Sequence, residues 1–184
     1  MAKGEVRARM VSGAVRLLAE NGPPGASFGD VLEATGSPRG STYHHFPGGK
    51  RELYLEALDL ANGRARDYLE EVRGQSAEAV VKRFFAMWRE VLARTDFRAG
   101  CAVLALTVAG NDEAVVEHAG KIFSNWRDHL ASLLREGGLP PKRARVVAAL
   151  AISAAEGAVA VARAEKNPET LDLVAREVAR QVRV

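Results

Sequence analysis

The chain has 184 residues, 47% of them apolar and only 6% aromatic, which suits one or two small domains and, with many Ala and Leu, an all-α core. Its net charge is +3, with seven Lys/Arg against five Asp/Glu in residues 1–55 and nineteen against eighteen beyond, so a broad polybasic stripe is excluded. The one cysteine, Cys101, allows no intrachain disulfide, MAKGEVRARM has no apolar signal core, and no run approaches 18 apolar residues. A soluble cytoplasmic protein with no membrane partner is expected.

Met10, Ala14, Leu17 and Leu18 recur at helical spacing and predict a first helix from about Lys3 to Glu20. Asn21-Gly22 stops it, and Pro23-Pro24-Gly25 is a connector. Ser27 with Asp30 forms an S-x-x-D capping-box variant, and Phe28, Val31 and Leu32 give the following short helix one apolar face. Gly36 ends it. Ser37 can cap a second short helix, about Pro38 to His45, with Pro38 in its first turn. Arg39, Ser41, Thr42, Tyr43 and His44 on that helix can all donate hydrogen bonds, and no acid interrupts them. Between Val31 and Glu52 the only acids are Glu33 and Glu52 themselves. Two short helices about a Gly-containing turn make a helix-turn-helix, whose second helix enters the DNA major groove.

With Thr35-Gly36-Ser37, Gly40, Tyr43, His45-Phe46 and Lys50, this stretch resembles the TetR family of bacterial transcriptional regulators. SPRGSTYHHFPGGKRELYLEAL is similar to its LmrA/YxaF-like branch, and FRAGCAVLAL and FSNWRDHLASLLREGGL carry a weaker likeness. The resemblance implies about nine helices: a three-helix DNA-binding domain over residues 1–55 and a helical effector-binding and dimerisation domain over 56–184. It implies a homodimeric, ligand-responsive regulator, a repressor released from a palindromic operator by a small apolar or aromatic effector. Residues expected at DNA are Ser27, Ser37, Arg39, Gly40, Ser41, Thr42, Tyr43, His44, His45 and Lys50.

Their roles differ. Arg39 matches the guanine O6/N7 edge, or meets phosphate or solvent instead. Gly40 lets the backbone approach DNA. The family's matching Tyr contacts phosphate through its hydroxyl, so Tyr43 is expected to do so; His45 contacts phosphate or is structural, and Phe46 is core. Lys50, in the first turn of the next helix, is placed for a phosphate, although Pro47-Gly48-Gly49 carries one residue more than many relatives. Lys3, Arg7 and Arg9 are either a solvated face or contribute a phosphate contact.

The helix from Lys50 is predicted to run to about Val72, roughly 33 Å, long enough to enter the second domain without a flexible linker. Further helices are expected over about Ser76–Arg94 (Val81, Phe84, Trp88 and Leu92 on one face), Ala99–Ala109, Asn111 to near Gly137, Lys142–Lys166 and from Asn167 onward, the last carrying Leu171, Val174, Val178 and Val182. Residues 144–164 hold ten alanines and Gly157. They are either simple core helix or, with the last helix, a four-helix subunit interface. Phe84, Trp88, Leu104, Val108, Phe123 and Trp126 are the candidate effector-pocket residues, against plain core packing.

No catalytic residue, cofactor or metal is expected. Gly48-Gly49-Lys50 lacks the rest of a P-loop, Gly36–Gly40 is not a nucleophile elbow, and His118 and His129 stand three helical turns apart. The alternative to a regulator is a helical interaction module without DNA binding, which would not need a donor-rich, acid-free second helix.

Overall fold

The computed structural model describes residues 3–38, 40 and 42–183. Among them run α1 Lys3–Asn21, a 3-10 turn Pro23–Gly25, α2 Phe28–Thr35, α3 Thr42–His45, α4 Gly49–Glu70, α5 Ala77–Arg94, α6 Ala102–Ala109, α7 Glu113–Glu136, α8 Pro141–Glu165 and α9 Glu169–Arg180. The described residues contain no strand, as an all-α reading requires. They form two compact units: Met1–Gly63 with Cys101–Ile122, and Arg64–Gly100 with Phe123–Val184. The first unit thus runs past residue 55 and takes in α6, which packs on α1 and the 3-10 turn. α4 and α7 each contribute to both units.

In the first unit, Met10, Leu18, Val31, Phe46, Leu53 and Leu58 are fully buried. Ser27 caps α2 reciprocally: Asp30 N–H donates to Ser27 Oγ at 3.2 Å, and Ser27 N–H donates to Asp30 Oδ2 at 2.8 Å. The short α2 therefore has a defined start despite the high nucleation cost of so few residues. Gly36 closes it in the left-handed region, φ 61°, where a Cβ would be strained. α1 and α2 approach closely at Gly13, where a Cβ would lie 2.4 Å from Thr35 Cγ2. Among the described residues α3 covers Thr42–His45, while Arg39 and Ser41 of the expected Pro38–His45 helix lie outside them; α6 begins at Ala102, where Cys101 Sγ accepts from Leu104 N–H at 3.4 Å and serves as the cap.

In the second unit, α8 packs on α9 and α5. Val81, Phe84, Trp88 and Leu92 of α5 are all buried, as their spacing predicts. On α8, Ala148, Ala151, Ala155 and Ala162 are fully buried, while Val146, Leu150 and Val161 are exposed. By length and composition α8 could cross a membrane, and half of its most apolar window is buried within the protein. The sequence reading of no such run counted strictly apolar residues; alanine raises the mean hydropathy of α8 around its Arg, Ser and Glu.

Candidate nucleic-acid interface and interior cavity

The α2–α3 segment is built from its turn outward. Gly36 N–H bonds to Glu33 and Leu32 carbonyls, and Ser37 N–H donates to Leu32 O at 3.1 Å. Ser37 is buried and its Oγ lies 2.8 Å from Thr35 Oγ1, whose own proton goes to the Val31 carbonyl at 2.7 Å, so the Ser37 hydroxyl is engaged with α2. On α3, Thr42 and His45 are buried and His44 is exposed. Gly40 is exposed, with nothing near the place its Cβ would occupy. Arg39 and Ser41 lie outside the described residues, as does the side chain of Tyr43. Ser27 is half-buried at the α2 cap and holds the Asp30 carboxyl below the usual range, chiefly through its hydroxyl.

The first turn of α4 separates two cations by role. Arg51 Nε donates to Asp112 Oδ2 at 2.7 Å and is thereby tied within the unit. Lys50 is exposed, its Nζ 5.0 Å from the Tyr54 ring centroid. That ring is fixed because the single Tyr54 hydroxyl proton is shared between the Pro23 and Ala26 carbonyls, each 3.1 Å from the oxygen. Lys50 therefore sits at a helix N-terminus on a held platform, a geometry suited to an anion.

Arg7, a third exposed, is tied within the first unit. Its guanidinium donates to Glu52 Oε1 at 2.8 Å, to Glu56 and to the His45 carbonyl, and lies 4.6 Å from the Phe46 ring centroid. It binds α1 to α4 and to the end of α3. Glu52 also accepts from Gly48 N–H at 2.8 Å, and Arg7, then this N–H, hold its carboxyl below the usual range.

Within the second unit, Ala65, Arg66 and Leu69 of α4, Phe84, Met87 and Trp88 of α5, Trp126, His129 and Leu130 of α7, and Ile152 and Glu156 of α8 line one enclosed cavity. Its volume is only about 10 Å³, room for one water at most. Trp88 Nε1, Trp126 Nε1 and His129 Nε2 are buried there without a hydrogen-bond partner among the described residues. Burial pushes the His129 pKa below its ordinary value, with Arg66 and Arg73 adding to this and Glu70 opposing it.

Of the expected pocket residues, Phe84, Trp88 and Trp126 meet in this cavity. Phe123 packs edge-on against Trp126, with centroids 5.6 Å apart. Leu104 and Val108 are on α6 in the first unit, Val108 being 77% exposed, and do not line it. Sequence reasoning missed Arg66, Met87, His129 and Glu156. Helical spacing carries the signal: 84–87–88 and 126–129–130 each share a face, and Glu156 is an isolated acid among alanines.

A capped short helix, a left-handed turn and a second short helix, followed by further helices, make a helix-turn-helix arrangement. The family comparisons agree in detail: residues 11–57 match the bacterial regulatory proteins, tetR family, and residues 77–177 match the transcriptional regulator LmrA/YxaF-like C-terminal domain. An uncharacterized HTH-type transcriptional regulator of Mycobacterium tuberculosis is 38% identical, covering 94% of this chain and 91% of its own length. The HTH-type transcriptional regulator LmrA of Bacillus subtilis is 25% identical over 93% of each. A regulatory protein TetR from Rhodobacter sphaeroides shares the fold, with TM-score 0.83 at 22% identity, covering 95% of this chain and 97% of its own. The chain belongs to the TetR family of bacterial transcriptional regulators, in its LmrA/YxaF-like group.

Proposed function

We propose that the protein acts as a homodimeric repressor that binds a palindromic operator and leaves it when a small effector binds. The observation that carries this reading is the α2–α3 segment: a capped helix-turn-helix whose second helix is acid-free, followed directly by Lys50 at the N-terminus of α4. In this reading Lys50 and Tyr43 contact phosphate and Arg39 contacts a base edge.

The dimer has a separate support. Val146, Leu150, Gly157 and Val161 are exposed and share one face of α8, and Leu173 of α9 is 52% exposed. An apolar stripe interrupted by small residues suits close packing against a second copy about a two-fold axis. One short recognition helix reads too few bases alone, so two are needed.

Ligand and DNA communicate through α4 in this reading. The helix starts at the Lys50 end and its other end supplies Arg66 and Leu69 to the cavity wall. A ligand that shifts this wall would shift a continuous helix, and a fixed half-site spacing penalises such movement.

Selection from random duplexes tests the reading. It should return an inverted repeat with half-sites about one DNA turn apart or somewhat more, roughly 35 Å. Leu150→Glu should convert the dimer to monomer in sedimentation, without loss of helicity, and abolish binding to that repeat. A single asymmetric half-site bound by monomer sinks the proposal.

A further inference from the structure

We infer that the surface groove between α5 and α9, apart from the interior cavity, docks an amphipathic helix with acidic flanks from a partner protein. The inference goes beyond the repressor reading and needs neither operator nor effector. Arg89 pairs with Asp172 at one end of the groove, and Arg183, just beyond α9, pairs with Glu78 at 3.2 Å at the other, so the two helices run antiparallel. Between them lies a volume of about 350 Å³. It stays open because small residues line both of its walls: Ala86 on α5, and Ala175 and Ala179 on α9. Phe85 and Leu171, 3% and 1% exposed, close its floor. A trough between two packed helices is where a third helix seats a ridge of side chains, and a floor without polar side chains favours an apolar ridge.

Charge defines the flanks. Lys82 and Arg89 stand seven residues apart on the α5 wall, about 10 Å along the helix. Arg176, Arg180 and Arg183 follow at helical spacing on the α9 wall. All of these cations are exposed. Three carboxylates answer them: Asp172 holds Arg89, Glu78 serves both Lys82 and Arg183, and Glu177 pairs with Arg180 at 3.0 Å. No ion pair among the described residues engages Arg176. Cations are thus in excess on both sides of an apolar trough, in a chain whose net charge is only +3. A single carboxylate or phosphate would use one end and leave the rest of the groove empty. Duplex DNA has no apolar ridge to enter the trough, and an anionic membrane presents a broad face that would not reach its floor. A helix with leucines at i, i+3, i+4 and i+7 and glutamates on either side meets the floor and both walls at once. The fork of an arginine accommodates both oxygens of such a carboxylate.

The probe is a fluorescein-labelled peptide of about 14 residues, long enough for partial helicity, with leucines on one stripe and glutamates on both flanks. Companion peptides carry glutamine for glutamate, lysine for glutamate, or serine for leucine. Anisotropy with the full chain should rank the acidic leucine peptide first, and added salt should weaken it because its charge contacts are exposed. Arg176→Glu should weaken it about two- to tenfold and Lys82→Gln, on the opposite wall, about two- to fivefold, with the glutamine peptide little changed. Ala86→Trp fills the trough and should remove binding of the acidic and glutamine peptides alike. Sedimentation and the thermal midpoint check that each variant keeps its assembly and fold. Lys82→Gln lies on α5, so it tests the charge contact independently of any change in assembly through α9. Equal binding of the acidic and glutamine peptides, preference for the lysine peptide, undiminished binding in all three variants, or no binding of any peptide overturns the inference. Phosphatidylglycerol vesicles and a random DNA duplex are run beside the peptides. Either one held through Lys82 and Arg176 more tightly than the acidic peptide also overturns it, and assigns the groove to lipid or nucleic acid.

Discussion

In the first unit, Ser27, Thr35, Ser37 and Tyr54 each spend their hydroxyl on a neighbour, and Arg7 distributes its guanidinium among two carboxylates, a carbonyl and a ring. In the second, Trp88 Nε1, Trp126 Nε1 and His129 Nε2 are buried without a hydrogen bond among the described residues, His129 Nε2 facing Glu70 Oε1 at 3.4 Å. Asn62 Oδ1 of the first unit is likewise buried without a hydrogen-bond partner among the described residues, so the contrast is one of degree. The difference separates two tasks. A reading head must present fixed atoms to DNA, so its short helices are locked by caps and struts that compensate for their poor intrinsic stability. In the proposed ligand-responsive reading, a cavity that is closed when empty holds back hydrogen-bonding capacity, and a guest that completes it gains what the empty protein leaves unmade.

The largest expected effect breaks the locked side. Phe46 is fully buried, 6.1 Å from Phe28 between ring centroids and under the Arg7 guanidinium. Phe46→Ala should cost about 3–5 kcal/mol in denaturant unfolding and abolish operator binding. Trp126→Phe keeps most of the buried surface and removes an N–H that has no partner, so it should cost less than about 1 kcal/mol. Equal losses in the two variants would erase the contrast between a locked unit and one with reserve.

A smaller effect resolves the reading head itself. Arg39→Ala should cost about 1–3 kcal/mol on the cognate repeat and relax preference at one position per half-site. Lys50→Ala should weaken all sequences alike and reduce the salt slope by about 0.9 for each phosphate left without its lysine, twice per dimer. If Arg39→Ala weakened cognate and random duplexes equally, base readout by Arg39 would be wrong.

How much of this was legible in the sequence depended on the range of the interaction that decides it. Helix starts and stops came through because they are local: Ser27 with Asp30, Gly36, and the Val81–Phe84–Trp88–Leu92 face need only their near neighbours. Arg7 did not. Its partners are 45 and 49 residues away, and an arginine near a helix start reads equally well as solvated. The cavity was half legible. Phe84, Trp88 and Trp126 announced themselves as large aromatics on helices, whereas Glu156 and Arg66 belong to it only because α8 and α4 bring them there. Leu104 and Val108 had the right character but lie on α6, and nothing in their spacing tells which neighbours that short helix meets.

The smallest expected effect tests whether the second unit's reserve is tuned by acid. His129 has a side chain only 7% exposed, and its Nε2 stands 3.4 Å from Glu70 Oε1 without a hydrogen bond to it. Around it are Arg66 and Glu70 on α4, Arg73 just beyond that helix, and Glu156 across the cavity on α8. Two effects compete. Protonation would give Glu70 a cationic partner, which raises the imidazole pKa, while burial opposes the charge and Arg66 and Arg73 repel it. Burial is the largest cause and the net direction is down. The unfolded chain therefore takes up a proton on this residue before the folded chain does. The contribution is complete above the ordinary histidine value, about 6.5, and stability falls as pH drops from there toward the lowered folded value. The lowered carboxylates of Glu70 and Glu136 lose their share only further down, below the ordinary carboxylate range, so the interval between isolates the imidazole. Urea unfolding between pH 7.5 and 5 should show wild type losing stability relative to His129→Leu as pH falls. A wild type that gains on the variant over the same interval would mean that pairing with Glu70 outweighs burial, and the polar atom left over in the cavity would then be a charge.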